Sequence, residues 1–122
     1  MTDSTAIDHY HLGFDLGGTK MLAVVYNSSL EPIGRNRIRT HSHEGTQSVV
    51  NRIIENINTA CAAADIASSD LKSIGIGVPG AVNMQAGTVL GAVNLGWQNV
   101  ELVKILRKHF SCSSHLLNDV DA

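Results

Sequence analysis

Apolar positions along the chain fall in runs whose spacing changes from one segment to the next. Y-H-L-G-F-D-L (10–16) and M-L-A-V-V-Y (21–26) are short apolar stretches joined across Gly17-Gly18-Thr19. That pattern predicts two strands closed by a tight turn and paired antiparallel. After S-S-L-E-P, the stretch I-G-R-N-R-I-R-T-H (33–41) alternates, predicting a third strand with Arg35, Arg37 and Arg39 on one face. From Thr46 to Ala64 the period lengthens: Val49, Val50, Ile53, Ile54, Ile57, Ala60, Cys61 and Ala64 recur at three and four, the stripe of an amphipathic helix. L-K-S-I-G-I-G-V-P (71–79) predicts a buried strand ended by Pro79, followed by a loop through Gly87. A second helix is expected from about Val100 to His109, with Asn99 as N-cap and Glu101 in the first turn. S-H-L-L-N-D (114–119) is the last strand. Three strands, helix, strand, helix, strand describes an α/β layer fold: an antiparallel three-strand meander and then crossover helices on one mixed sheet.

Composition narrows this picture. The 122 residues are enough for one domain and, at 43% apolar, for one core. Aromatic residues make up only 4%, so Ile, Val, Leu and Ala must build that core, with Trp97, Phe14 and Phe110 as its few bulky fillers. A formal net charge of -2 gives no attraction to nucleic-acid phosphates or to an anionic membrane. The longest apolar run, Met21 to Tyr26, is too short to span a bilayer, and M-T-D-S-T opens the chain without a signal-peptide core, so a cytoplasmic location is expected. Cys61 and Cys112 stand far apart with no metal-ligand spacing and are expected to be buried free thiols. The three arginines on the third strand suit a solvent-facing edge that discourages sheet-to-sheet association.

Several segments carry candidate chemistry. Gly75, Gly77 and Gly80 match G-x-G-x-x-G, yet a dinucleotide fingerprint needs its glycines to open a helix, and a turn-rich segment follows instead. Gly75 and Gly77 are expected inside a strand against which a helix packs closely, with Pro79-Gly80 leading into that turn-rich segment. Asp15-Leu16-Gly17-Gly18-Thr19-Lys20 is not a Walker A loop, because a strand follows the glycines. Two readings stand for it. It is a plain turn, or an anion cradle in which glycines at positive φ let the backbone approach a phosphate, Thr19 and Lys20 donate, and Asp15 holds Mg²⁺ through water. Asn118-Asp119 ends the last strand where a carboxylate could orient a substrate hydroxyl and take its proton. A strand-terminating turn is the plainer reading, and Asp121 is a competing carboxylate. Asn94, between Gly91 and Gly96, offers an amide that suits a sugar hydroxyl, while Trp97 equally fills the core. His9 with His11, and His41 with His43, have the i,i+2 spacing of a strand chelate, but no third ligand is evident and scattered surface histidines are expected.

The order of these blocks adds what no single block carries. D-L-G-G-T-K, G-I-G-V-P-G-A-V-N, G-T-V-L-G-A-V-N-L-G-W-Q-N-V and L-L-N-D-V-D-A together resemble the N-terminal lobe of the ROK family (repressor, open reading frame, kinase), over almost all of the chain from about His11. The resemblance implies a ribonuclease H-like lobe of the actin and hexokinase type over residues 10–122, preceded by a disordered tail at 1–9. It implies that Asp15, Gly17, Gly18, Thr19 and Lys20 form a phosphate loop for ATP with Mg²⁺, and that Asp119 is the base acting on a sugar hydroxyl. Asn118 and Asn94, with the backbone at Gly80 and Ala81, would bind the sugar; the N-L-G-W form is closest to glucokinase-like members and points to a hexose. Family kinases carry a second lobe with another phosphate loop, an adenosine pocket and a Cys/His zinc cluster, none of which is expected within this chain. On this reading the chain is one lobe of a two-lobe sugar kinase, with no nucleic-acid or membrane partner, inactive alone and prone to self-association through apolar surface around Val82, Met84 and Trp97. A sugar-sensing lobe of a family repressor is the alternative; such repressors carry a winged helix-turn-helix before the first strand and tend to lose the phosphate loop that is intact here. A stand-alone nucleotide- or partner-binding module is a third.

Overall fold

The computed structural model describes residues 9–118. Three strands, β1 (Tyr10–Leu16), β2 (Lys20–Tyr26) and β3 (Pro32–Arg39), form the expected meander, followed by α1 (Thr46–Ala63) and β4 (Leu71–Val78). Next come β5 (Ala81–Asn83), β6 (Thr88–Ala92), β7 (Trp97–Val100), α2 (Leu102–Arg107) and β8 (Ser113–Asn118). The main sheet has five strands in the order β3-β2-β1-β4-β8. β2 pairs antiparallel with β1 and β3, whereas β4 pairs parallel with β1 and β8. It is therefore the mixed sheet with crossover helices that the sequence predicts.

Alternation decides which face of that sheet is the core. Leu12, Phe14 and Leu16 of β1, Met21, Ala23 and Val25 of β2, Ile74, Ile76 and Val78 of β4, and Leu116 of β8 are all buried. Both helices pack toward these residues: Val49, Val50, Ile53, Ile57, Ala60 and Cys61 of α1, and Leu102, Val103 and Leu106 of α2. Each fully buried Leu or Ile stabilises the fold by about 1.5–3 kcal/mol relative to exposure. Phe14, Trp97 and Phe110 are each 3% exposed and fill the core as composition suggested. Asn56, on the apolar face of α1, is fully buried; its amide nitrogen donates to the Met21 carbonyl (3.3 Å), and its Oδ1 accepts from Asn36 Nδ2 (2.7 Å). The helix is thereby keyed to β2 and β3.

Four expectations are corrected. The segment after Pro79 is a second sheet, order β5-β6-β7, where a loop was expected. Asn99 lies inside β7 with φ 52° and does not cap α2, which is only the six residues Leu102–Arg107, with Glu101 at its N-cap making no side-chain cap bond. Gly75 lies within β4, but a Cβ there would meet nothing within 4 Å, so no helix approaches it; with Gly13, Gly77, Leu22, Val24 and Leu117 it lines an open groove of about 470 Å³ on the other face of the sheet. Trp97 is buried, so of the apolar surface expected around Val82, Met84 and Trp97 only Met84 is well exposed, and the largest exposures belong to Val93 and Leu30.

β3 is one edge strand of the main sheet, and Arg35, Arg37 and Arg39 are exposed on it as expected. Residues 1–8 of the expected tail lie outside the described residues, while the His9 amide donates to Ser28 Oγ at 2.7 Å. Among the described residues, no helix is long and apolar enough to cross a membrane.

Candidate functional site

Parallel pairing sets the location of the site. β1, β4 and β8 run in one direction, and their registers place Asp15 opposite Gly77 and Gly77 opposite Leu117. The turn after Leu16, the bend after Val78 and the end of β8 at Asn118 consequently emerge at one edge of the sheet. With strands about 4.8 Å apart, the ends of β1 and β8 are separated by about 10 Å.

At that edge Gly17, Gly18 and Thr19 join β1 to β2, with the Gly17 N–H donating to the Lys20 carbonyl at 3.0 Å. Neither glycine has the positive φ that the sequence reading attached to them. Their requirement is for space. A Cβ on Gly17 would lie 2.7 Å from the Lys20 oxygen, and one on Gly18 would lie 2.6 Å from Asn94 Cβ. Asn94 belongs to a single 3₁₀ turn, Val93–Leu95, closed by Gly96 at φ 65°. Two segments far apart in sequence, the glycine turn and the N-L-G-W block, thus touch at Gly18 and Asn94.

A second contact joins the other two segments. The Asn118 side-chain amide donates to the Gly80 carbonyl, tying the end of β8 to the bend after β4. Gly80, at φ 151°, sits so close to β6 that a Cβ would lie 2.2 Å from the Gly91 oxygen. Ala81, exposed at the start of β5, pairs with Gly91. The Asn118 nitrogen is thus engaged with backbone and holds two candidate sugar-binding positions together. Asp119 and Asp121 lie outside the described residues.

The glycine turn is braced from behind by Thr40, which follows β3 and is fully buried. Its N–H donates to the Thr19 carbonyl (2.8 Å) and its hydroxyl to the Gly17 carbonyl (2.7 Å). Thr40→Val keeps the shape and removes the hydroxyl donor, leaving the half-buried Gly17 carbonyl one partner short. We expect a loss of about 1–2 kcal/mol in urea unfolding, with faster amide exchange at Gly17–Lys20.

Asp15 and Lys20 are exposed on the open face and line, with Arg37, a pocket of about 220 Å³. One exposed carboxylate beside a backbone turn fits Mg²⁺, which keeps most of its waters and takes its remaining ligands from phosphate. Cys61 and Cys112 are free thiols pushed up in pKa by burial, Cys61 to about 11, and neither is suited to nucleophilic attack near neutral pH. The histidine pairs are arranged differently from the strand chelates considered above: His11 Nδ1 is 2.7 Å from Ser73 Oγ, and His41 and His43 lie beyond the end of β3, on the 3₁₀ turn Ser42–Glu44 and at its N-cap.

The sequence profile of the ROK family matches residues 11–122. The chain is 28% identical over 95 residues to a glucokinase of Halalkalibacterium halodurans, covering 78% of this chain and 29% of that protein. It is 30% identical over 111 residues to a xylose repressor of Caldicellulosiruptor bescii, covering 91% of this chain and 28% of that protein. Among solved structures, a ROK hexokinase from Thermus thermophilus superimposes with a TM-score of 0.78 at 27% identity, over 90% of this chain and 35% of that one. The chain thus spans roughly 30% of the length of these relatives.

Proposed function

The chain belongs to the ROK family, and from that premise we propose that it forms the N-terminal, ribonuclease H-like lobe of a cytoplasmic ATP-dependent hexose kinase that works as a homo-oligomer. The observation that carries the reading is the convergence at one sheet edge of the glycine turn on Asn94 and of Asn118 on Gly80.

In this reading the Gly17–Thr19 turn faces the nucleotide phosphates. Thr19 offers donors to them, and Lys20 places a cation beside the turn. Mg²⁺, held through water by Asp15, would supply charge neutralisation at the phosphates. Asn94, Gly80, Ala81 and Asn118 position a sugar with one hydroxyl presented to Asp119. The Asp119 carboxylate orients that hydroxyl and accepts its proton as the oxygen attacks phosphorus, a late transfer that needs no strong base. Water is kept from competing only when the site is closed over, and we assign that closure to the remaining two-thirds of a family-length protein.

A coupled assay of hexose-dependent ADP formation tests this. The 122-residue chain alone should turn over far below the ordinary kinase range of about 1–100 per second. The same chain within a family-length polypeptide should reach that range with a hexose. Hexose binding without turnover by the long form would support the second reading, a sugar-sensing repressor lobe, which the 30% identity to a xylose repressor over 111 residues favours.

A further inference from the structure

Three side chains on the segment from β3 to α1 converge: His41, His43 and Glu44 each offer one ligand atom, and these atoms lie within 4.8 Å of one another. We propose that they bind a divalent first-row transition ion, with Zn²⁺ the best match to two imidazoles and one carboxylate.

Local backbone geometry creates the group. On a continued strand His41 and His43 would share one face and Glu44 would point to the other. The chain instead leaves β3 at Arg39, His41 takes a left-handed conformation (φ 52°, ψ 51°), and Ser42–Glu44 form one 3₁₀ turn. The Glu44 N–H donates to the His41 carbonyl at 3.0 Å. Side chains three apart eclipse in such a turn, which carries Glu44 over His41, Oε2 to Nδ1 4.0 Å. The His43 ring stands edge-on to His41, centroids 5.8 Å apart. Two ligands at about 2.0 Å on a tetrahedral ion are about 3.3 Å apart, so small side-chain rotations close the set.

The carboxylate is also oriented for the role. Glu44 Oε1 accepts from Ser48 Oγ at 2.8 Å, which leaves Oε2 as the atom facing the histidines. That hydroxyl is the main cause of a Glu44 pKa lowered from its ordinary value. A non-glycine residue held at positive φ costs on the order of 1 kcal/mol or more and is retained where the surroundings require it. Two nitrogens and one oxygen select against Mg²⁺ and Ca²⁺, which take oxygen ligands. Three protein ligands leave a fourth position open. His41 and His43 share a pocket of about 180 Å³ with Gly18, Thr19 and Arg39, so that position lies within reach of water or an anion beside the glycine turn.

The test is titration of the metal-free 122-residue chain with Zn²⁺ by calorimetry, and with Co²⁺ by its visible absorption. One equivalent should bind with a dissociation constant in the micromolar range, and Co²⁺ should give the intense bands of four- or five-coordination. H43A and E44Q should each weaken binding at least about tenfold, while H109A, which removes an exposed histidine elsewhere, should leave it unchanged. Circular dichroism identical to the parent establishes that each variant is folded. No binding below about 1 mM, an E44Q variant as tight as the parent, or an H109A variant as weak as H43A would overturn the assignment.

Discussion

Gly80→Ala is expected to destabilise the fold by about 2–6 kcal/mol, a large share of the total stability of a domain this size. Two effects add. The added Cβ would lie 2.2 Å from the Gly91 oxygen and 3.1 Å from Ala92 Cα, both backbone atoms of β6 that cannot rotate away, and overpacking of this kind costs about 1–3 kcal/mol. The φ of 151° is one that side chains avoid, at a further cost of about 1–3 kcal/mol. Relief requires β5 to move from β6, which would also separate Gly80 from Asn118. Gly75→Ala is the control. With nothing within 4 Å of its Cβ, it should be neutral or stabilise by about 0.4–1 kcal/mol through the unfolded state. Urea unfolding of the pair checks both; equal destabilisation by the two variants would refute the packing described at the β4–β5 bend.

In a family-length polypeptide, Asp119→Asn is expected to lower kcat about 10²–10⁴-fold, the range that a positioned general base contributes, with hexose affinity changed by less than about threefold. Asparagine retains the size and much of the hydrogen bonding of the carboxylate but cannot take the proton. Steady-state kinetics with direct sugar titration separates the two quantities. Retained turnover would transfer the role to Asp121 or dismiss it, and joint loss of binding and turnover would indicate a structural role for the side chain.

Regular elements with a clear hydrophobic period were legible in the sequence. The stripe from Val49 to Cys61 is the buried face of α1, and the apolar runs around the glycine turn are β1 and β2. The second sheet was not legible, because β5, β6 and β7 are three, five and four residues long and sit among turn residues, where alternation is too brief to register. Asn99 looked like a cap by residue type, yet it adopts positive φ within β7, which asparagine tolerates. Apolar residues run throughout β2, with Met21, Ala23 and Val25 in the core while Leu22 and Val24 line the open groove. At the site, the participating segments were legible from their order. How they meet was not: the glycine turn is glycine because Asn94 and the Lys20 carbonyl approach it, not because of its φ. Glu44 was missed as a companion of the histidines because only the left-handed step at His41 brings it over them.

The claim on which the account rests is that the glycine turn, Asn94, Gly80 and Asn118 form one ligand-facing edge. ¹⁵N-edited NMR of the 122-residue chain, titrated to millimolar concentrations with a hexose and then with a non-hydrolysable ATP analogue and Mg²⁺, measures this directly. Sugar-dependent shifts are expected at Gly80, Ala81, Asn94 and Asn118 and nucleotide-dependent shifts at Gly17–Lys20. Shifts confined to the groove lined by Gly13, Val24 and Gly75, or to the helices, would contradict that claim.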